Sequence, residues 1–260
     1  MRNDKLLLEY LMMRWYYVEK IMARRPGLEK ILRFRFGGRK PFLSLLLRCP
    51  ERIRRAVLTT GWNTSERIVE TPWLHRLLGK IDGLRTILDV GCADDRSSQE
   101  LAQMGFLVFG LDRRRHPMTH PCFHQSTGDA GALPFRSDVF DAAVSISAIE
   151  HVGLSSYGTP VFAAGDRLAL SEIRRCLKPG GFLYLTVPVG HENTLWYRIY
   201  GPDAVRRLLS DFELLEAHFY ERRDGKDWIP RTEDQMNNVV STLETGTNGV
   251  GIYFCRKRRP

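Results

Sequence analysis

The chain of 260 residues has no uninterrupted apolar run of about 18 residues, the length that a membrane-spanning helix requires. Its first stretch, Met1 to Met12, is broken by Asp4, Lys5 and Glu9 and has no small-residue cleavage site, so it does not read as a secretory leader. Cysteine is scarce: five residues, Cys49, Cys92, Cys122, Cys176 and Cys255, an odd count without a Cys-x-x-Cys pair. That argues against a disulfide framework and against paired-cysteine zinc or redox sites, and makes a reduced cytoplasmic protein the expectation. Two further absences matter. The chain has no Gly-x-Gly-x-x-Gly dinucleotide fingerprint and no Asn-Pro-Pro-Tyr tetrapeptide. With hydrophobic residues at 43%, one sizeable globular core is expected.

What is present is a βαβ pattern between residues 86 and 115. The apolar run Ile87, Leu88 and Val90 suits a strand buried on both faces, and Gly91 lets the backbone leave that strand in a conformation that a side chain would obstruct. Ser97 to Met104 supplies a covering helix, Phe106 to Leu111 a second strand, and Asp112 an acid at its carboxyl end. An acid there can accept hydrogen bonds from both hydroxyls of a ribose, so a ligand containing a nucleoside is expected. Two cofactors compete for such a unit. The dinucleotide positions are held by Gly91, Ala93 and Arg96, and Asp94 and Asp95 would crowd a pyrophosphate with like charge. S-adenosylmethionine, which carries a sulfonium and an ammonium, tolerates nearby acids.

The segment resembles motif I of the class I S-adenosylmethionine-dependent methyltransferases, usually acid-x-Gly-x-Gly-x-Gly. Asp89 and Gly91 match; Ala93 and Asp95 depart. The pattern continues in order. Thr127-Gly128-Asp129-Ala130 with Leu133-Pro134-Phe135 resembles the adenine-contacting loop, Phe140 to Ser147 the fourth strand, and Ala148-Ile149-Glu150-His151-Val152 the segment bordering the active site. Leu177-Lys178-Pro179-Gly180-Gly181 is a helix stop and turn leading into a fifth strand. Glu150 to Gly158, Gly165-Asp166 and Trp196 to Tyr200 are similar to a poorly characterised bacterial and archaeal subgroup.

The resemblance implies an α/β fold: a Rossmann-like seven-stranded methyltransferase sheet, mostly parallel with an antiparallel last strand, helices on both faces and an N-terminal helical extension. The domain reading is residues 1–75 for a basic, amphipathic extension and 76–260 for the methyltransferase domain. It also implies S-adenosyl-L-methionine as cofactor, held by Asp89, Gly91, Cys92, Ala93, Asp112, Asp129, Ala130 and Ser145. By its residue type alone, Cys92 reads as a small apolar filler. His151 is the first candidate for a general base and His191, after the fifth strand, the second, because an imidazole titrates near neutral pH.

No metal is expected. Some quinone-pathway O-methyltransferases carry Glu-x-x-Glu-His and bind magnesium there, whereas this chain has Ser147-x-x-Glu150-His151, one hard anionic ligand short. His116, His120, Cys122 and His124 read as a solvated loop rather than a zinc site.

The charge is uneven. Residues 1–57 hold 15 Lys+Arg and 5 Asp+Glu, a net +10, whereas the remaining 203 hold 24 and 25, a net −1. The same segment is rich in leucine and aromatics, which suits helices capping the core, a peripheral contact with an anionic membrane, or a phosphate-rich partner such as RNA. Phe212 to Tyr220 and Gly251 to Cys255 read as the last two strands, with a polar connection of about 30 residues whose Trp228-Ile229-Pro230 reads equally as a cover over substrate or as a surface loop anchored by one tryptophan. Three functions follow as expectations. The first is O-methylation of a small molecule, glycan or lipid-linked intermediate; the second is methylation of RNA or protein held by the basic segment; the third is a non-catalytic binding protein on the same fold.

Overall fold

The computed structural model describes residues 65–93, 96–116, 119–154, 163–191, 197–223, 227–241 and 247–259. They belong to one compact unit, Thr64–Pro260. The basic segment 1–57, the acids Asp94 and Asp95, and Trp196 lie outside the described residues.

The unit begins with helix α1 (Arg67–Leu78), followed by β1 (Thr86–Val90), α2 (Ser97–Gln103), β2 (Leu107–Asp112), β3 (Phe123–Thr127) and β4 (Phe140–Ile146). A 3-10 turn at Ile149–His151 precedes α3 (Gly165–Cys176), β5 (Leu177–Pro188), α4 (Pro202–Leu208), β6 (Phe212–Arg223), β7 (Asp227–Arg231), α5 (Glu233–Met236) and β8 (Gly249–Lys257). The strands form one eight-stranded sheet in the order β3-β2-β1-β4-β5-β8-β6-β7. Pairs from β3 to β5 are parallel, whereas β8 is antiparallel to both β5 and β6, and β7 to β6.

The inner strands form where the sequence offers continuous apolar runs, because both of their faces are covered. On one face, Leu170 and Ile173 of α3 and Val205 of α4 pack against Leu88, Leu183 and Leu185. On the other, Leu74 and Leu78 of α1 and Leu101 of α2 pack against Ile87, Val144 and Tyr184. The strand order places β1 between β2 and β4, so their carboxyl-terminal halves run in register, Asp89 lying opposite Gly110 on one side and Val144 on the other. That end of an open α/β sheet is where a crevice forms.

Three sequence expectations change. The sheet has eight strands rather than seven, because the long polar connection between β6 and β8 contains β7 and α5. Trp228, Ile229 and Pro230 are thus residues of an edge strand, paired with Arg222, Glu221 and Tyr220. Helix α1 belongs to the compact unit, although a boundary after residue 75 would have cut it. It is tied to the sheet by long-range contacts. The Trp73 indole stacks on His218 at 3.6 Å and donates to the Tyr220 hydroxyl at 2.8 Å, and the Tyr184 hydroxyl donates to the Glu70 carbonyl at 2.6 Å.

At the opposite end of the sheet, Asp141 at the start of β4 fastens β1 and β5. Its Oδ2 accepts from the Thr86 amide at 2.8 Å, the Thr86 hydroxyl at 2.8 Å and the Arg85 amide at 3.1 Å, while Oδ1 pairs with Lys178 Nζ at 2.6 Å. Burial opposes its ionisation, but the Lys178 and Thr86 donors outweigh that and hold the carboxyl at about 2 against an ordinary 3.8. A depressed native value stabilises the fold above the unfolded value and loses that stability as pH falls through the native one. Asp141→Asn is expected to lower unfolding free energy at neutral pH by about 1–2 kcal/mol. Urea titrations of both proteins should converge as pH drops from about 4 to about 2.

Candidate active site

A cleft opens at the carboxyl ends of β1, β2 and β4. Its floor is the turn after β1, where Gly91 has φ +94° and a Cβ would lie 2.3 Å from the Ala148 Cβ. Only glycine combines that backbone conformation with that approach. The Gly91 amide donates to the Leu111 carbonyl at 2.8 Å, which locks the turn against β2.

Asp112 lies at the end of β2 in the cleft wall and is 8% exposed. Its Oδ2 accepts from the Ala93 amide at 3.1 Å, and its Oδ1 from the Arg114 amide at 2.8 Å and Arg114 Nε at 3.3 Å. The Ala93 amide therefore serves the site by holding Asp112. Asp129 and Ala130 line the same wall further out. Asp129 Oδ1 accepts from the Gly131 amide at 2.8 Å, forming a small turn, and Oδ2 stands 3.5 Å from Arg113 Nη1.

Four expected cofactor residues are absent from the cleft lining, Ala93 among them. Asp89, 2% exposed, accepts from the Ser97 hydroxyl at 3.2 Å and also from the Ser98 hydroxyl, so it anchors the first turn of α2. Cys92, 1% exposed, packs under Gly110, where a Cβ would meet its Sγ at 2.7 Å. Ser145 is fully buried and donates to the Val90 carbonyl at 3.1 Å, tying β4 to β1. The side chains of these last three shape the turn and strand ends behind the cleft.

His151 lines the cleft at the end of the 3-10 turn, with its ring centroid 5.8 Å from that of Tyr197. Arg198 clamps this turn: Nη1 donates to the Val152 carbonyl at 2.6 Å and the Glu150 carbonyl at 3.2 Å, while its Nε lies 3.7 Å from Asp166 Oδ2. The Tyr200 hydroxyl also donates to Asp166 Oδ2, at 3.0 Å. His191 is exposed and not part of the cleft lining; its amide donates to Val239 at 2.8 Å and its carbonyl accepts from Ser241 at 3.4 Å. The structure thus separates the two histidine candidates. His116, His120 and His124 lie around β3: the His116 ring packs on Phe123, His120 Nδ1 accepts from the Cys122 amide, and His124 packs on Phe109. Among the described residues no group of three or more His, Cys, Asp and Glu side chains is placed to hold a metal.

Sequence reasoning missed Arg67 and Glu70, which α1 delivers into the cleft region. Arg67 lines the cleft and pairs with Glu70 Oε2. The other oxygen of Glu70, Oε1, accepts from the Ser147 hydroxyl at 2.9 Å and the Thr186 hydroxyl at 2.6 Å. Ser147, at the end of β4, sits in the left-handed region with φ +45° and lines the cleft. Strain of this kind is held only where the surroundings over-determine it. Here the Ser147 amide donates to the Thr186 carbonyl and hydroxyl at 3.1 and 3.0 Å.

Burial raises the Glu70 carboxyl, with Arg67 opposing, and raises the Glu150 carboxyl well above its ordinary 4.5, reinforced by Glu70. Glu150 is 1% exposed, and among the described residues its Oε2 has no hydrogen-bond partner. Its native value exceeds its unfolded value, so the native state binds the extra proton and loses stability as pH rises above about 4.5. Glu150→Gln is expected to raise unfolding free energy at pH 8 by about 1 kcal/mol and to leave it nearly unchanged at pH 4. Equal stability changes at both pH values in chemical denaturation would refute a buried ionisable Glu150.

With this geometry in place, the relatives can be set beside it. The family model described as "Caenorhabditis protein of unknown function, DUF268" matches residues 134–245. A tRNA (carboxymethyluridine(34)-5-O)-methyltransferase of Arabidopsis thaliana is 28% identical over 186 residues, covering 70% of this chain and 41% of that protein. The ubiquinone biosynthesis O-methyltransferase of Leptothrix cholodnii is 22% identical over 137 residues, covering 53% of this chain and 58% of that protein. The chain therefore spans about half the length of the curated relatives it matches. The crystal structure of the Burkholderia thailandensis 1,6-didemethyltoxoflavin-N1-methyltransferase, with 1,6-didemethyltoxoflavin and S-adenosylhomocysteine bound, superimposes with a TM-score of 0.54 at 14% identity, covering 85% of this chain and 91% of that one. That likeness shows the fold. Strand order and these likenesses show the fold of the class I S-adenosylmethionine-dependent methyltransferases, and the chain is similar in sequence to methyltransferases over part of their length.

Proposed function

We propose that this protein is an S-adenosylmethionine-dependent methyltransferase acting on oxygen, with a small molecule, a glycan or a lipid-linked intermediate as acceptor. The observation that carries the reading is the convergence of Gly91, Asp112 and Arg67 from three separate elements on one cleft at the carboxyl ends of the parallel strands. Both curated relatives are named as O-methyltransferases, which supports oxygen as the receiving atom.

The residues fit the cofactor. Gly91 gives the turn after β1 the tight backbone that brings Ala148 against it, so that both residues line the cleft. Asp112 is the ribose acceptor: a carboxylate offers about four lone-pair sites, and the 3.3 Å contact from Arg114 Nε is the longest of its three present bonds and the first to yield. Asp129 accepts from the adenine amine and the Ala130 amide donates to the ring, beside apolar Leu111 and Val152. Arg67 provides a cation for the cofactor carboxylate, with Glu70 fixing its direction. When bound, S-adenosylmethionine supplies an activated methyl on a positively charged sulfur.

The remaining work of the protein is alignment and proton removal. His151 accepts the proton of the acceptor hydroxyl, and Arg198 holds the turn that carries it. Tyr197 packs its ring beside that of His151 and helps to orient it. The likeness to a tRNA methyltransferase supports a second reading, an RNA hydroxyl as acceptor, with the same residues in the same roles.

Calorimetric titration with S-adenosylmethionine and S-adenosylhomocysteine tests this assignment. Asp112→Ala is expected to weaken binding about 10-fold to 100-fold, the loss of a charged hydrogen bond, and Gly91→Val to abolish it in a folded protein. His151→Ala should retain cofactor affinity while slowing transfer about 100-fold or more; His191→Ala should leave both unchanged. Absence of binding heat from the folded wild-type chain would overturn the proposal.

A further inference from the structure

A second concave site lies on the face of the sheet covered by α3 and α4, formed from residues that do not line the cofactor cleft. Arg167 and Arg174 of α3 and Arg207 of α4 line it together with Ser171, Ser210 and Asp211. Neighbouring arginines on the same helices are neutralised: Arg175 pairs with Glu172 at 2.8 Å, and Arg206 pairs with Glu233. The three groove arginines differ. Among the described residues none of them forms an ion pair, and Asp211, the acid within the groove, pairs with none of them. Among the described residues Arg174 Nε is buried with no hydrogen-bond partner. A donor left without a partner costs about 1–3 kcal/mol, and more when charged, so the Arg174 guanidinium is short of an acceptor within the described fold.

The spacing narrows the class of ligand. Arg167 and Arg174 are seven positions apart on one helix, about 10 Å along its axis. A single carboxylate satisfies one guanidinium fork; three cations spread over such a span match an anion with charges repeated at intervals. Guanidinium groups suit phosphate oxygens, and serine hydroxyls such as Ser171 and Ser210 are ordinary phosphate donors. The walls rise on both sides from α3 and α4, and Leu170 and Phe212 lie buried in the floor. A strand lies in such a trough more readily than a flat bilayer surface does.

We infer that the α3–α4 groove binds the phosphodiester backbone of a single-stranded polynucleotide through Arg167, Arg174 and Arg207. The inference is independent of the methyltransferase reading, because no residue of the groove belongs to the cofactor cleft. It gives the chain a phosphate-binding surface within the compact unit, apart from the basic residues 1–57.

Fluorescence anisotropy of a labelled single-stranded RNA with the full chain tests it. Arg174→Ala and the double variant Arg167→Ala/Arg207→Ala are each expected to weaken binding several-fold, and each lost arginine to reduce the slope of log affinity against log salt by about 0.7. Arg206→Ala, which removes a paired arginine outside the groove, serves as the control and should bind as wild type. Thermal unfolding and cofactor calorimetry on the same variants separate a lost groove from a lost fold, and failure of cofactor binding alone would strike the proposed function and not the groove. Wild-type RNA affinity and salt slope in both groove variants would overturn the inference. So would a groove-dependent loss of binding to phosphatidylserine vesicles without any loss of RNA binding, since that assigns the arginines to a membrane surface.

Discussion

A single desolvated carboxylate, Glu70, joins the elements on which the site depends. It is fully buried, yet each of its oxygens is occupied: one by the hydroxyls of Ser147 and Thr186, the other by Arg67. A buried carboxylate is costly unless every lone pair is engaged, so the arrangement is all-or-none. Moving α1 would strand the charge, and relaxing Ser147 out of its left-handed conformation would remove a donor. Helix, strand ends and cleft-lining arginine are held in one geometry for that reason.

The same logic of occupied groups runs through the cofactor side. Asp112 is steered by the Ala93 amide and by Arg114, and Asp89 beneath it fastens α2, so the turn after β1 has no freedom to drift. Gly91 belongs to the same arrangement, because the Ala148 methyl stands where a side chain at Gly91 would go, and the turn after β1 packs directly on the segment after β4.

Much of this was legible from residues alone. Strands β1, β2 and β4 appeared as apolar runs because covering helices bury both of their faces. Edge strand β7 did not, because Pro230 argues against a strand unless the missing amide faces outward, as it can at the sheet edge. Asp112 and His151, read from a strand end and the turn after the fourth strand, both line the cleft, since such positions open onto the carboxyl edge of the sheet. Ser145 and Ser147 illustrate the limit. They lie two positions apart, but one bonds a neighbouring strand's carbonyl inside the sheet, and the other passes beyond the strand end with positive φ and meets the cleft.

By itself the sequence determined the periodicities, the order of strands and helices, and the acid and glycine that mark a nucleoside crevice, because these are properties of neighbours in the chain. The tertiary structure decided which polar residues meet. Glu70 reaches Thr186 across a separation of 116 positions and Ser147 across 77, and Arg174 and Arg207 line one groove only because their two helices cover the same sheet face. Hydrogen bonds and ion pairs act over a few ångströms in space, a distance that sequence spacing does not encode once the chain has folded back on itself.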